Sequence, residues 1–260
     1  TQMSDPRATV CLTYDFDAVS IWLHAFDGLD SPTRQSRGEY GANVAAPRLL
    51  DMLDRLDVPA TWFTPGHTVE SFPEITGEVH DRGHDIQCHG WKHTDPSAFS
   101  EEEEREDIGR AVDAIQDVTG ETPDGYRSPA WDFSTNTLSI IRDLGFEWDS
   151  SQMGHDFEPY LLRESPAVDP DEPYVRGEET DIVEFPVSWH LDDWPPFQFV
   201  LNVPDNGGAP DEKQIFDMWT EKFDWMYDNI EGGVYTLTMH PQVIGIPPRM
   251  RYLEDMVQYM

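Results

Sequence analysis

Ala8-Thr9-Val10-Cys11-Leu12-Thr13-Tyr14-Asp15-Phe16-Asp17 decides how the rest of the chain is read. Its first seven residues are apolar or β-branched, the composition of a buried strand, and they run straight into two carboxylates one residue apart. In an extended strand residues i and i+2 share a face, so Asp15 and Asp17 are expected to point the same way. Two acids that close in apolar surroundings repel each other, so one of them calls for a cation.

The same unit recurs downstream. Residues 45–56 carry Leu49, Leu50, Leu53 and Leu56 at helical spacing behind Pro47, and residues 60–63 form a second short apolar strand. A helical stretch over 72–82 leads through Gly83 to a third strand, 85–88, which runs into His89. Ser100 and a run of glutamates open a helix ending at Gly120, with Ile108, Val112 and Ile115 on one face. A strand at 125–127 meets Ser128-Pro129, a helix follows over 135–144, and a strand over 146–148 ends at Asp149. Strands and helices alternating about every 25 residues predict βα units around a parallel sheet. The fold class is therefore α/β, a deformed (β/α) barrel of about seven parallel strands, with residues 1–260 as a single domain. Residues 27–41, 158–179 and 195–210 read as loops, the last a lid or an oligomer contact. A strand over 182–189 ends near Asp192-Asp193-Trp194. A helix over 214–229 turns Trp219, Phe223 and Met226 inward, and a last strand, 233–239, delivers His240.

The totals restrict the partners. At 260 residues, 38% hydrophobic and 12% aromatic, the chain can bury a sizeable core. Against 51 acidic residues stand 17 basic ones, a net charge of −34. Such a surface repels phosphate, so neither nucleic acid nor an anionic membrane is an expected partner. The charge also predicts a protein adapted to high salt, where screening is short-ranged. Cys11 and Cys88 lie in apolar strands and predict buried free thiols, as in a reducing cytoplasm. Residues 1–9 show no apolar signal segment, and no run of about 20 apolar residues predicts a membrane span. Aromatic residues in 194–199 and 216–227 suit a homo-oligomer contact or the core equally.

Strand ends, where a barrel keeps its chemistry, present Asp15, Asp17, His89, His93, Arg127 and His240. His89-Gly-Trp-Lys-His93 places two imidazoles four residues apart, which on a helical turn would reach one ion. Two histidines and a carboxylate with an open position suit one divalent ion, Zn2+ foremost and other transition metals as well. Arg127 can orient a carboxylate or touch substrate. His240 is placed to act as a general acid. Phosphate-binding glycine motifs and a G-x-S-x-G nucleophile elbow are absent from the sequence.

Together these residues resemble the polysaccharide deacetylase family, the NodB-homology fold of carbohydrate esterase family 4. Thr13-Tyr14-Asp15-Phe16-Asp17 resembles its first motif with one residue inserted between the acids. That departure resembles the branch of peptidoglycan-deacetylase-like proteins, cyclic imidases and allantoinase-like enzymes, as do Arg37-Gly38-Glu39-Tyr40-Gly41, Pro47-Arg48 and Pro59-Ala60-Thr61-Trp62-Phe63. His89–His93, Arg127-Ser128-Pro129 and Met239-His240-Pro241 resemble the later motifs. The resemblance implies Asp17, His89 and His93 as metal ligands, Asp15 as general base held by Arg127, and His240 as general acid. Asp193 or Asp192 would tune His240, with Asp149 the alternative by position. Tyr14 and Trp131 would line the pocket, and Glu39 and Tyr40 would stand near its mouth. The implied activity is removal of N-acetyl groups from a sugar or related amide by activated water. A cyclic imide or ureide hydrolase on the same machinery is the alternative, and a catalytically idle metal-binding module is the reading from another class.

Overall fold

The computed structural model describes residues 6–164, 168–200 and 211–260. Eight strands form one sheet: β1 (Ala8–Asp15), β2 (Thr61–Thr64), β3 (Asp85–Cys88), β4 (Gly125–Tyr126), β5 (Trp148–Asp149), β6 (Tyr160–Arg163), β7 (Glu179–Glu184) and β8 (Gly233–Met239). Their order is β6-β7-β5-β4-β3-β2-β1-β8, and every neighbouring pair is parallel except β6–β7. Helices α1 (Val19–His24), α2 (Pro32–Tyr40), α3 (Ala46–Leu56), α4 (Gly66–Ser71), α5 (Pro73–Asp81), α6 (Glu101–Thr119) and α7 (Thr137–Leu144) follow the first strands. They are completed by α8 (Trp194–Phe197), α9 (Glu212–Asn229), α10 (Pro241–Ile244) and α11 (Arg249–Tyr259).

Sheet and helices make the deformed barrel that the alternation predicts. Closure is loose: among the described residues β7 and β8 share no ladder. Instead Phe157 O accepts from Val234 N–H, and Asp192 bridges to Thr238, whose carbonyl accepts from Asp193 N–H at 3.1 Å. The longest ladder of the sheet is the β1–β8 pair, at the end opposite β6, in register from Ala8–Gly233 to Tyr14–Met239.

The helices bury their expected faces. Leu49, Leu50 and Leu53 of α3 are fully buried, worth roughly 1.5–3 kcal/mol each relative to exposure. Helix α6 begins with a capping box, Ser100 accepting from Glu103 N–H while the Glu103 carboxylate accepts from Ser100 N–H, and Gly120 ends it at φ 78°. Trp219, Phe223 and Met226 of α9 point into the core. Cys88 is buried, Cys11 half-buried, and both are free thiols. Among the described residues no helix is long and apolar enough to cross a membrane.

Three loop expectations need correction. Residues 27–41 contain α2, nucleated by Pro32 at its first turn and by Ser31, which accepts from Arg34 N–H. Gly38, which lowers helix propensity, lets α2 sit on the preceding segment: a Cβ there would come within 2.5 Å of Val19 Cα. Residues 158–179 contain β6, a short antiparallel edge strand whose pattern is too brief to stand out from its acidic, proline-rich flanks. Residues 194–197 form α8, and residues 201–210 of the expected lid lie outside the described residues.

Candidate active site at the barrel mouth

Asp15 ends β1 and Asp17 follows two residues on, both buried. His89 and His93 leave β3, Arg127 leaves β4 and His240 leaves β8. These strands are neighbours through the sheet order β4-β3-β2-β1-β8, so one rim carries all six side chains.

Asp17 Oδ1 lies 3.6 Å from His89 Nε2, and Asp17 Oδ2 lies 3.8 Å from both His93 Nε2 and His240 Nε2. The ligand atoms of Asp17, His89 and His93 all fall within 4.8 Å of one another. Among the described residues neither Asp17 oxygen, nor His89 Nε2, has a hydrogen-bond partner, although all are buried. Native proteins rarely leave such atoms orphaned. Burial drives the Asp17 carboxyl well above the usual range; His240 opposes the rise, and Asp15, Asp192 and Asp193 add to it. Burial likewise pushes His89 down to about 4 and His93 well below the ordinary histidine value. Both imidazoles are then neutral, the form that ligates a metal. The His89 Nδ1–H donates to Arg127 O at 2.6 Å, which leaves the Nε2 lone pair facing Asp17. Two neutral imidazoles and a donorless carboxylate fit a divalent ion on this geometry.

The expected helical turn between the two histidines is not there. His89–His93 is a loop, with Gly90 at φ 64°. It brings the two rings to 5.2 Å without helical phase.

Arg127 is fully buried, and four of its five N–H groups donate. Its Nη1 donates to Asp15 Oδ1 at 2.7 Å and Thr13 Oγ1 at 3.0 Å, its Nε to Ser150 O, and its Nη2 to Ser150 Oγ. The guanidinium lies 4.0 Å from the Phe63 ring centre. Burial would raise the Asp15 carboxyl, but Arg127, then His89 and His240, hold it below the usual carboxylate value. On the far side His240 Nδ1 meets Asp193 Oδ1 at 2.7 Å, and the same carboxylate accepts from His240 N–H. Burial would lower the imidazole, yet Asp193 foremost, with Asp192 and Asp17, pushes it up to about 10. Asp192 Oδ1 stands 3.6 Å from His240 Nδ1 and accepts from Trp194 N–H. Asp149, the alternative by position, bonds instead to Ser151 and Glu184.

These groups floor a cavity of about 150 Å³, reached by Asp15, His93, Asp192 and His240. Its walls are Phe26, Trp131, Trp189 and Trp194, with Ile21, Ala25 and Ala130 between them. Trp131 and Trp189 lie 4.3 Å apart between ring centres, and Trp194 packs 4.9 Å from the His240 ring. Ala130 and Trp131 sit consecutively at φ 58° and 55°, a strained turn costing about 1–3 kcal/mol per residue. Trp131 is thus on the wall as expected. Tyr14 is not: its ring is buried 4.7 Å from Trp62, on the helix side of β1. Tyr40 hydrogen-bonds Gly245 O and Arg48, Glu39 is exposed on α2, and neither lines the cavity. Phe26, Trp189 and Trp194 were not assigned to the pocket because the segment after α1 and the segment after β7 meet only in the fold.

Fold and site define an α/β-barrel hydrolase that acts on carbon–nitrogen bonds other than peptide bonds. The chain belongs to the polysaccharide deacetylase family, whose model matches residues 4–148. It is 37% identical to a peptidoglycan deacetylase of Helicobacter pylori over 95% of this chain and 87% of that protein. It is 28% identical to the peptidoglycan deacetylase-like protein FGM2 of Gibberella zeae, over 98% and 81%. A Mycobacterium smegmatis crystal structure, provisionally named a polysaccharide deacetylase, superposes with TM-score 0.87 at 32% identity, covering 100% of this chain and 85% of that one. The Puue allantoinase structure shares the fold, with TM-score 0.74 at 20% identity, over 97% and 83%. Enzymes of this family use a divalent metal, and Asp17, His89 and His93 form a candidate ligand group for one.

Proposed function

We propose that the chain is a divalent-metal N-deacetylase that removes the acetyl group from an N-acetylated sugar or a related acetamide. Asp17, His89 and His93 hold the ion, which is Zn2+ by the chemistry of its donors. The observation that carries this reading is the pair of donorless Asp17 oxygens facing two neutral imidazoles. When bound, the ion supplies a Lewis acid for the amide carbonyl and makes water easier to deprotonate.

The remaining roles belong to the protein. Asp15 takes a proton from the attacking water, and Arg127 keeps it ionised and aimed through the 2.7 Å contact. His240, held at Nδ1 by Asp193, presents Nε2 to the cavity 4.0 Å from Asp15 Oδ2 and protonates the leaving amine there. Trp131, Trp189, Trp194 and Phe26 exclude water and grip the acyl group.

A second reading rests on the cavity itself. Its small volume and aromatic walls suit a compact planar ring, which makes a cyclic imide or ureide the alternative substrate on the same groups.

One assay separates the readings. Protein reconstituted with Zn2+, the same protein stripped with chelator, and His93→Ala are given N-acetylglucosamine and its oligomers, succinimide, hydantoin and allantoin in molar KCl. Acetate release that is lost on chelation and in His93→Ala supports the deacetylase, and ring opening with no acetate supports the alternative. Turnover that survives both treatments ends the metal reading.

A further inference from the structure

The segment between the two ligand histidines cannot hold its own shape. Outside a helix it has no i→i−4 ladder, and Gly90 at φ 64° gives it a turn most side chains resist. Its backbone is instead held from outside. The carbonyls of Gly90 and Trp91 accept from Gly66 N–H and His67 N–H, at 2.9 and 3.0 Å, at the start of α4. Its N–H groups go to side chains. Asp107 Oδ2 accepts from Trp91 N–H at 2.7 Å, and Asp107 Oδ1 accepts from Lys92 N–H at 3.2 Å. Ser20 Oγ of α1 accepts from His93 N–H at 3.2 Å.

Asp107 is the central member. It stands on the second turn of α6, a 19-residue helix fixed by its capping box and anchored through Ile108 and Ala111. A Cβ at Gly90 would come within 3.1 Å of Asp107 Oδ2, so glycine here lets the carboxylate close on the turn. Two N–H groups converging on one carboxylate from successive residues form a charge-assisted clamp, which fixes a loop more tightly than neutral bonds do.

We propose that Asp107 is a positioning residue for the metal site: by gripping the Trp91 and Lys92 N–H groups from α6, it sets the spacing and aim of His89 and His93. The inference rests on the metal reading above. Asp107 touches neither substrate nor ion. Without its clamp the two imidazoles remain present but wander, and the ion loses a prearranged pair of ligands.

The test uses the full chain and Co2+ as probe, titrated in competition with a chromophoric chelator and followed by its visible d–d absorption. Asp107→Ala is expected to weaken Co2+ binding about 10–100-fold and to alter the band shape, the scale seen when an outer support of a ligand is removed. Asp107→Asn keeps one carbonyl oxygen for the Trp91 N–H and is expected to fall between Asp107→Ala and the wild type. Glu106→Ala, an exposed acid one residue earlier, removes the same charge and should leave Co2+ affinity as in the wild type. A folded Asp107→Ala with wild-type affinity and spectrum overturns the clamp. If that variant does not fold, Asp107→Asn decides alone: unchanged affinity overturns the proposal, and weakened affinity with cooperative melting supports it. A wild type that takes up no Co2+ overturns the metal reading and the clamp together, a result distinct from equal binding by wild type and variant.

Discussion

Asp193 holds His240 twice, through a 2.7 Å contact from Oδ1 to the imidazole Nδ1 and by accepting the His240 backbone N–H. The ring can therefore neither flip nor tilt without breaking a buried charged contact. Asp193→Asn preserves the shape but removes the charge. Its kcat should fall about 10²–10⁴-fold, the scale of a mis-set acid–base group, with metal content unchanged. Asp192→Asn, whose carboxylate stands 3.6 Å away, should lose less. Steady-state kinetics beside metal analysis of each variant decide it; equal losses would mean the two acids share the role.

Arg127 and Asp15 are mutually dependent. Arg127→Met leaves a buried carboxylate without its cation, which should destabilise the fold by about 3–5 kcal/mol. Adding Asp15→Asn should recover part of that loss. Urea unfolding of the two single variants and the double variant gives the coupling, and strict additivity would show that the pair contributes nothing of its own.

A second acid pair sits away from the cavity. Asp149 and Glu184 are buried side by side, receiving Ser151 and Gln152 N–H groups. Burial raises both, Asp149 to about 6 and Glu184 well above the usual glutamate value, with Asp149 adding to the latter. One proton between them satisfies the otherwise donorless Glu184 Oε2. Because the folded state holds protons that the unfolded chain releases, this pair favours folding at acid pH, and its contribution falls as pH rises through about 6. Glu184→Gln mimics the protonated form and should flatten the fall in urea midpoint between about pH 5 and 8. A midpoint curve identical to the wild type's would refute the shared proton.

With 51 acidic residues against 17 basic ones, the folded chain works against its own field. Raising KCl from about 0.1 M to 1 M shortens the Debye length from about 10 Å to about 3 Å. The melting temperature should rise, by roughly 2–4 °C for each kcal/mol of repulsion removed. A flat or falling melting curve across that range would mean that ion pairs such as Arg82 with Asp51, Asp54 and Glu78 already balance the field locally.

Strands were legible where they meet charge. β1 running into Asp15 and β8 into His240 stand out because an apolar run ends abruptly on a polar side chain. The His89–His93 spacing was legible as a pair but not as a shape, since a loop held by Asp107 and Ser20 has no periodicity of its own. Tyr14 shows strand alternation prevailing over resemblance: if Asp15 faces the barrel interior, its neighbour must face the helices, where it meets Trp62. The aromatic wall was illegible because Phe26, Trp131 and the Trp189–Trp194 stretch are far apart in sequence, and only closure of the barrel gathers them. Helix α2 was hidden by Gly38, a residue chosen for a close backbone approach over helix propensity.

The register joining β1 to β8 from end to end has a bearing on how this protein dies. Asp15 and His240 ride adjoining strands at the end of the sheet farthest from β6, joined by its longest ladder, so fraying at the β6 edge cannot pull them apart. Heat or urea can separate them only by dissolving that ladder. Inactivation should then track loss of the whole native state, and a residual-activity curve would serve as a gauge of global unfolding.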